Sequence, residues 1–228
     1  MSSNTTVAVM DQYVVSSERG EGIVQCSGLA HLGLPKADVS NPINSDAAAT
    51  VNLAESPLTG LLLLRVTDCA DELNATLQKR CGLTLSPRLQ SHTQTGVCVR
   101  WMSPDCWLLS CPLDEAFDIE NSLRAGVLGH MAIVNVSGGH SILDMSGVHA
   151  RDVLMKSTGY DTHPDHLPAG KVVNTTFAKT QVTLRCVELV DSMSRYEIIV
   201  RRSFSDYLGL WLQHAAAEYG LNTVRQIS

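Results

Sequence analysis

The chain has 228 residues, 44% of them hydrophobic, which is enough to bury the core of one large domain or of two small ones. A formal net charge of −6, without any long run of basic residues, argues against nucleic acid as a partner. Uninterrupted apolar runs, such as residues 61–64, are far too short to span a membrane.

The cysteine content indicates a reducing compartment. Seven cysteines are an odd number, and no Cys-x-x-Cys pair occurs. Free thiols therefore fit this chain better than a disulfide framework. The first residues also lack the basic segment and following apolar segment of a secretory signal, so the sequence predicts a cytoplasmic protein.

Residues 1–55 show no clear periodicity and are predicted to form an irregular N-terminal arm. Residues 37–50 are rich in Ser, Asn, Asp and Ala, which is typical of a loop. Leu29, Leu32 and Leu34 form a short apolar patch in this arm. The patch has two interpretations, a docking element for a partner protein and a contact with the chain's own core. We expect the arm to contribute to assembly.

Residues 56–130 are predicted to form a first α+β unit. Residues 61–66, which are apolar except for Arg65, indicate a buried strand, and Asp68 is the expected N-cap of a helix that ends at Gly82. Residues 97–102 and 107–111 indicate two strands joined by a type I turn. A second helix is marked by four apolar residues at helical spacing: Ala116, Ile119, Leu123 and Val127.

Residues 131–228 are predicted to repeat this order. A strand over residues 141–145 leads to Ser146 as an N-cap and to a helix that ends at Ser157. Residues 171–177 are extended, and a hairpin occupies residues 183–201. The last helix is expected to bury one stripe, made of Phe204, Leu208, Trp211, Ala215 and Tyr219.

The same order of elements therefore occurs twice: strand, helix, two strands and a helix. In this repeat, Leu61 corresponds to Ser141 and Trp107 corresponds to Tyr196. The order predicts a tandem of two α+β units, each with helices on an antiparallel sheet.

Acidic and imidazole side chains crowd one short loop. Asp161, His163, Asp165 and His166 are candidate zinc ligands, because carboxylates and imidazoles bind this metal. Their spacing matches no standard zinc signature, and no cysteine is near. Prolines in the loop favour the alternative, a solvated turn.

Two further motifs have an ordinary structural interpretation. The glycine-containing residues 137–140 resemble a phosphate loop, but a strand follows them, which favours a turn between two strands. Ser146 and His149 are close in sequence, as a nucleophile and its base would be. The Gly-x-Ser-x-Gly pattern is incomplete, so an N-cap role explains Ser146 better.

Aromatic and arginine side chains are the remaining candidates. Trp101, Trp107 and Trp211 could stack on a pterin or flavin, but their places in strands and on a helical stripe favour core packing. Arg201 and Arg202 are suited to a carboxylate or phosphate, with a surface or interface contact as the equal alternative. No residues are predicted to form a catalytic, cofactor-binding or metal site.

Short motifs in a fixed order connect residues 134–219 to a known family. They are Ser146-Gly147, Ala150-Arg151-Asp152-Val153-Leu154, Tyr160-Asp161, Pro164, Gly170-Lys171, Thr175-Thr176, Tyr196-Glu197-Ile198-Ile199-Val200 and Arg202-Ser203-Phe204. Their order and spacing resemble the gamma subunits of heterotetrameric sarcosine oxidases, a reduced relative of the folate-binding aminomethyltransferases. The resemblance is weaker over residues 61–128 and fades before Leu53.

The resemblance implies an aminomethyltransferase-like fold of two ferredoxin-like halves, without the C-terminal barrel that closes the folate site. It implies a structural subunit of a complex that oxidatively demethylates sarcosine to glycine, producing hydrogen peroxide and, with tetrahydrofolate, methylenetetrahydrofolate. The implied partners are alpha, beta and delta subunits, which would carry FAD, FMN, NAD, zinc and tetrahydrofolate, while this chain would carry no cofactor. The alternative is a free-standing folate-dependent protein of the aminomethyltransferase type.

Overall fold

The computed structural model describes residues 27–34, 50–190 and 193–222. The strands are β1 (Val51–Glu55), β2 (Thr59–Val66), β3 (Ser91–Gln94), β4 (Val97–Ser103), β5 (Cys106–Pro112), β6 (Met131–Asn135), β7 (His140–Gly147), β8 (Val172–Phe177), β9 (Thr180–Val190), β10 (Met193–Arg201) and β11 (Leu221–Asn222). The α-helices are α1 (Ala70–Cys81), α2 (Ala116–Gly126), α3 (Ala150–Ser157) and α4 (Arg202–Ala216). Within these described stretches, no helix combines the length and apolar character needed to cross a membrane.

Both halves of the chain follow one antiparallel topology. The five-stranded sheet has the order β3-β4-β5-β2-β6, with β5 antiparallel between β2 and β4. In the six-stranded sheet, whose order is β11-β1-β7-β10-β9-β8, β10 lies between β7 and β9 in the same way. In the first sheet, β2 precedes α1 and β4 follows it, and β5 lies between these two strands; in the second sheet, β7, α3, β9 and β10 are arranged in the same way. This arrangement is the ferredoxin-like pattern. The predicted tandem of α+β units is confirmed.

The first strand of the chain belongs to the second sheet. β1 is antiparallel to β7, with Leu53 opposite Met145, in the position that β6 takes beside β2. β11 then pairs in parallel with β1. The structure thus differs from the irregular arm predicted for residues 1–55, because Val51–Glu55 forms a strand whose buried and half-buried positions alternate. Strand β1 pairs with β7, which lies far along the chain, so no local sequence pattern predicts β1.

The apolar patch of the arm packs on the chain's own core. Leu29 is 0% exposed, and Leu34 is buried in the same cluster as Leu208 and Leu212 of α4. Gly209 permits this approach, because a Cβ there would lie 2.6 Å from Cδ1 of Leu32. The expectation that these leucines dock a partner is therefore corrected in favour of the core contact. Residues 1–26 and 35–49 of the predicted arm lie outside the described residues.

Side chains alternate between the two faces of each sheet. One face of each sheet packs against helices, and the other face packs against the second sheet. Leu62 and Leu64 on β2 pack with Leu73 of α1 and Ile119 of α2. The alternate residues of β2, Leu61 and Leu63, point to the opposite side. There they meet side chains of the second sheet, in a cluster of Leu61, Leu108, Ile142 and Ile199. The sheets pack face to face, and the helices cover their outer sides.

The predicted start of the third helix is wrong. Ser146 and Gly147 belong to β7, and α3 begins only at Ala150, after His149. Gly147 has a φ of 130°, and a Cβ at this position would lie 2.3 Å from the backbone oxygen of Thr50. The glycine therefore serves the close approach of the neighbouring backbone and keeps Ser146 in the strand rather than at a helix N-cap.

The predicted buried stripe of the last helix is correct only in part. Leu208 and Ala215 are buried, as expected, and Leu212 joins them. Phe204 is 47% exposed, and Trp211 is partly buried. Helix α4 carries apolar side chains on more than the face that contacts the sheet.

We expect Leu29→Ala to lower the free energy of unfolding by about 2 to 5 kcal/mol, the usual range for truncating a buried leucine. The reason is its full burial against the core that α4 covers. Urea denaturation followed by circular dichroism measures the change. Leu58→Ala is the matched control, because Leu58 is 43% exposed. Equal stability of the Leu29→Ala variant and the wild type would show that the segment does not pack as described.

Candidate functional site

A buried ion pair joins the two sheets. Arg100 on β4 is 1% exposed, and its guanidinium reaches Glu197 on β10. Nε donates to Oε1 and Nη2 donates to Oε2 of the carboxylate, each at 2.7 Å. Two parallel hydrogen bonds of this kind fix the orientation of the partners as well as their distance.

Polar groups from both sheets surround this pair. Nη1 of Arg100 donates to Oγ of Ser110 on β5 at 2.8 Å. Arg185 on β9 is also buried, and its Nη1 donates to Oγ1 of Thr93 at 2.9 Å. The same Nη1 lies 3.2 Å from Sγ of Cys98. Strands β3 and β4 of one sheet thus supply partners for an arginine of the other.

The arginines keep the carboxylate of Glu197 charged. Burial alone would raise its pKa, but the charges of Arg100 and Arg185 and the hydrogen bonds from Arg100 lower the pKa to about 2. Nε of Arg185 lies 3.3 Å from the Oε1 of this carboxylate. We refer to Arg100, Ser110, Arg185 and Glu197 as the inter-sheet cluster.

A second ion pair extends the polar interior. Nε of Arg195 on β10 donates to both carboxylate oxygens of Asp144 on β7, at 3.1 and 2.9 Å. Burial raises the pKa of Asp144, and the charge of Arg195 opposes this rise. Asp144 lies opposite Glu197 in the strand register, so both pairs face the same side of the sheet.

The charged groups of the inter-sheet cluster are engaged with one another. Its carboxylate and its arginines bind one another, and an apolar cluster that includes Leu61 and Leu108 fills the middle between the sheets. A pterin ring inserted there would separate Arg100 from Glu197 and leave both charges buried without a partner.

Sequence reasoning missed this cluster, although Glu197 lies in one of the short family motifs, because no pattern connects Glu197 with Arg100. Arg100 and Glu197 are 97 residues apart, each within an apolar run, VCVRWM and RYEIIV. A charged residue inside a buried strand needs a partner, and this is the one signal that the sequence offers. The sequence does not say which strand supplies that partner.

The predicted metal-binding candidates form a solvated turn. His163 pairs with Asp165 at 3.3 Å, and His166 pairs with Asp161 at 3.5 Å, with all four side chains mostly exposed. The backbone N–H of His163 donates to Oδ1 of Asp161 at 2.9 Å, which is an Asx turn. Within the part of the chain that the structure describes, no group of His, Cys, Asp or Glu side chains is arranged to hold a metal ion.

The glycine-containing segment and the Ser146–His149 pair also have structural positions. Ser137–Gly139 forms a 3-10 turn that connects β6 with β7, in agreement with the predicted turn between strands. Ser146 is buried in β7. His149 contacts an acid instead, because its Nδ1 lies 2.6 Å from Oδ2 of Asp152. The structure does not bring these two residues together as a nucleophile and a base.

The tryptophans and the paired arginines lie at the margins of the fold. Trp107 and Trp211 are partly buried against hydrophobic clusters, and each indole donates a hydrogen bond, at 2.9 and 3.0 Å respectively. Trp101 lies opposite Trp107 across β4 and β5. The positions of Trp107 and Trp211 agree with core packing. Arg201 and Arg202 are exposed, at the junction of β10 and α4.

Comparison with known sequences identifies one family. Residues 66–218 match the model of the sarcosine oxidase gamma subunit family. The sarcosine oxidase subunit gamma of an Arthrobacter species is 30% identical over 131 residues, 57% of this chain and 61% of that protein. Its counterpart from Corynebacterium sp. strain P-1 is 30% identical over 145 residues, 63% of this chain and 68% of that protein. The match thus spans about three fifths of the first relative's length.

Comparison with solved structures shows the fold. A chain of the heterotetrameric sarcosine oxidase from Corynebacterium sp. U-96 in complex with pyrrole 2-carboxylate superposes with a TM-score of 0.70 and 24% identity, covering 88% of this chain and 99% of that one. The glycine cleavage system aminomethyltransferase T from Bartonella henselae gives a TM-score of 0.53 and 13% identity, covering 82% of this chain and 48% of that one. The fold is therefore shared with both, as the sequence predicts.

We expect Glu197→Gln to destabilise the fold by about 3 to 5 kcal/mol at neutral pH, because it leaves the buried charge of Arg100 without its carboxylate. The pKa of Glu197 is about 2 in the folded chain and near 4.5 when unperturbed, so the unfolded chain binds the proton first as the pH falls. The contribution of this carboxylate to stability is complete above pH 4.5 and is lost towards pH 2. That part of the acid slope should be missing in the variant.

Denaturant titrations between pH 7 and pH 2 measure both effects. Glu115→Gln is the matched control, because Glu115 forms an exposed pair with Arg80 at 3.4 Å and should change stability by less than about 1 kcal/mol. A Glu197→Gln variant that is as stable as this control would show that the inter-sheet ion pair does not form.

Proposed function

Because the chain belongs to the sarcosine oxidase gamma subunit family, we propose that it is a non-catalytic, structural subunit of a heterotetrameric sarcosine oxidase. The complex oxidatively demethylates sarcosine to glycine and produces hydrogen peroxide. With tetrahydrofolate, it also produces methylenetetrahydrofolate. The contribution of this chain is to fold as a rigid pair of sheets against which the catalytic subunits assemble.

The observation that carries the structural role is the filled space between the sheets. A folate-dependent protein of this fold needs an acidic or arginine side chain directed into a cavity of pterin size. Here Glu197 and Arg100 are directed at each other, and Leu61 and Ile142 pack in the same middle layer. This arrangement supports a structural subunit over a free-standing folate-dependent protein.

The proposal assigns the cofactors of the complex to its other subunits. FAD, FMN, NAD, zinc and tetrahydrofolate would be carried by alpha, beta and delta partners, and this chain would contact those partners without touching a cofactor. A cytoplasmic location is part of the proposal. It is supported by the described cysteines, which are free thiols, as in a reducing compartment.

The proposed units, residues 56–130 and 131–228, act as one body in this role, and β6 of the second range completes the sheet of the first unit. Support comes from their contacts: beside the inter-sheet cluster, the backbone N–H of Ser91 donates to the carbonyl of Gly170 at 2.9 Å, and Val172 donates to Leu89 at 3.0 Å. A single rigid body offers a partner a surface that loses little conformational freedom on binding.

Expression of this chain with and without its companion subunits tests the proposal. Alone, the purified chain should be colourless, free of stoichiometric zinc, and inactive with sarcosine in an oxygen-consumption assay. With the companions, it should purify as a stoichiometric member of a sarcosine-oxidising complex. Flavin absorbance of the isolated chain, stoichiometric tetrahydrofolate binding in calorimetry, or failure to enter the complex would each contradict the proposal.

A further inference from the structure

Helix α4 is apolar on two sides. One side, with Leu208, Leu212 and Ala215, is buried on the sheet. The adjoining side exposes three large apolar residues at a spacing of three: Phe204 at 47%, Tyr207 at 43% and Leu210 at 49% exposure. A surface helix of a globular protein normally has one apolar stripe and a polar opposite face, so the second stripe requires an explanation.

Trp211 extends the exposed stripe at its C-terminal end. It is partly buried, and its ring centroid lies 6.5 Å from that of Tyr207. Aromatic side chains are enriched in the buried centres of protein interfaces, because they bury a large area and lose little rotamer freedom. We refer to Phe204, Tyr207, Leu210 and Trp211 as the α4 surface.

The equivalent helix of the first unit has no such surface. α2 follows β5 as α4 follows β10, and it buries Ala116, Ile119 and Leu123. Its outward side carries Asp118, Asn121 and Arg124, all exposed, with Phe117 as its one large exposed apolar residue. Because the two units share a topology, the fold itself does not demand apolar residues on the outer side of this helix. The difference points to a contact that α4 makes and α2 does not.

Charges beside the α4 surface are already used within the chain. Asp206 lies 2.6 Å from Nε2 of His31, and Glu218 pairs with Lys156. Arg202, at the start of the helix, also has an interaction partner. The α4 surface therefore offers mainly apolar contact, and these three charged residues beside it already have partners within the chain. A nucleic acid or an anionic lipid surface would need unpaired basic groups here. A protein patch that is itself apolar and uncharged matches what α4 presents.

We propose that the α4 surface is the docking site for a companion subunit of the oxidase, which covers it with an apolar, uncharged patch. The inference rests on the proposed function, since that function supplies the partner. It also assigns assembly to the second unit rather than to the leucines of the N-terminal segment, which are buried in the chain's own core.

The test compares two double variants in the full chain. Tyr207→Gln with Leu210→Gln changes the α4 surface, and Phe117→Gln with Leu128→Gln is the control, because Phe117 and Leu128 are exposed but lie outside the α4 surface. Biolayer interferometry measures the binding of each chain to the purified complex of the companions. We expect the α4 variant to bind at least about tenfold more weakly and the control to bind like the wild type. Circular dichroism and melting curves should match for all chains.

The outcomes separate this inference from the proposed function. If the wild type does not bind the companions, the proposed function fails. If the wild type and the α4 variant bind equally, the docking site is wrong while the subunit role stands. Two further results would overturn the docking site. One is a dimer of the isolated chain that the α4 variant dissolves, which makes a second copy the occupant. The other is a melting temperature lowered far more than in the control, which means that the chain covers this surface itself.

Discussion

The Arg100–Glu197 ion pair is the constraint around which the two units are arranged. A buried arginine is tolerated only when a carboxylate meets it in good geometry, and here the two partners come from different sheets. Neither sheet can be displaced from the other without exposing or orphaning a charge. The apolar contacts between the sheets bury hydrophobic surface. The ion pair fixes how the two sheets are positioned relative to each other when that surface is buried. Two α+β units thereby become one body.

This constraint also bears on function. In this fold, which an aminomethyltransferase shares, internal contacts occupy the space between the sheets. Under the proposed function, the outer surfaces are the places where this chain meets other molecules. They are not equivalent: the outward side of α2 is largely polar, whereas that of α4 exposes Phe204, Tyr207 and Leu210. A filled interior and one apolar helix face together support the proposed role of a structural subunit.

Periodicity predicted most of the architecture, because apolar alternation and helical spacing are local signals. It identified the strands around Leu61 and Trp107, and the repeat of the two units. It missed β1, whose partners β7 and β11 lie far along the chain, and it placed the start of α3 too early, because Gly147 serves a backbone contact that only the folded sheet creates. It also assigned Phe204 to the core, since a helix with two apolar sides has the same spacing as one with a single broad side.

The most direct test of the account is hydrogen–deuterium exchange of this chain, alone and within the complex with its companions. Assembly through α4 predicts that added protection is concentrated in peptides covering Arg202–Ala216, while peptides covering Ala116–Gly126 exchange equally in both states. Added protection over α2 with none over α4, or unchanged exchange throughout the chain in a mixture with the companions, would contradict the account.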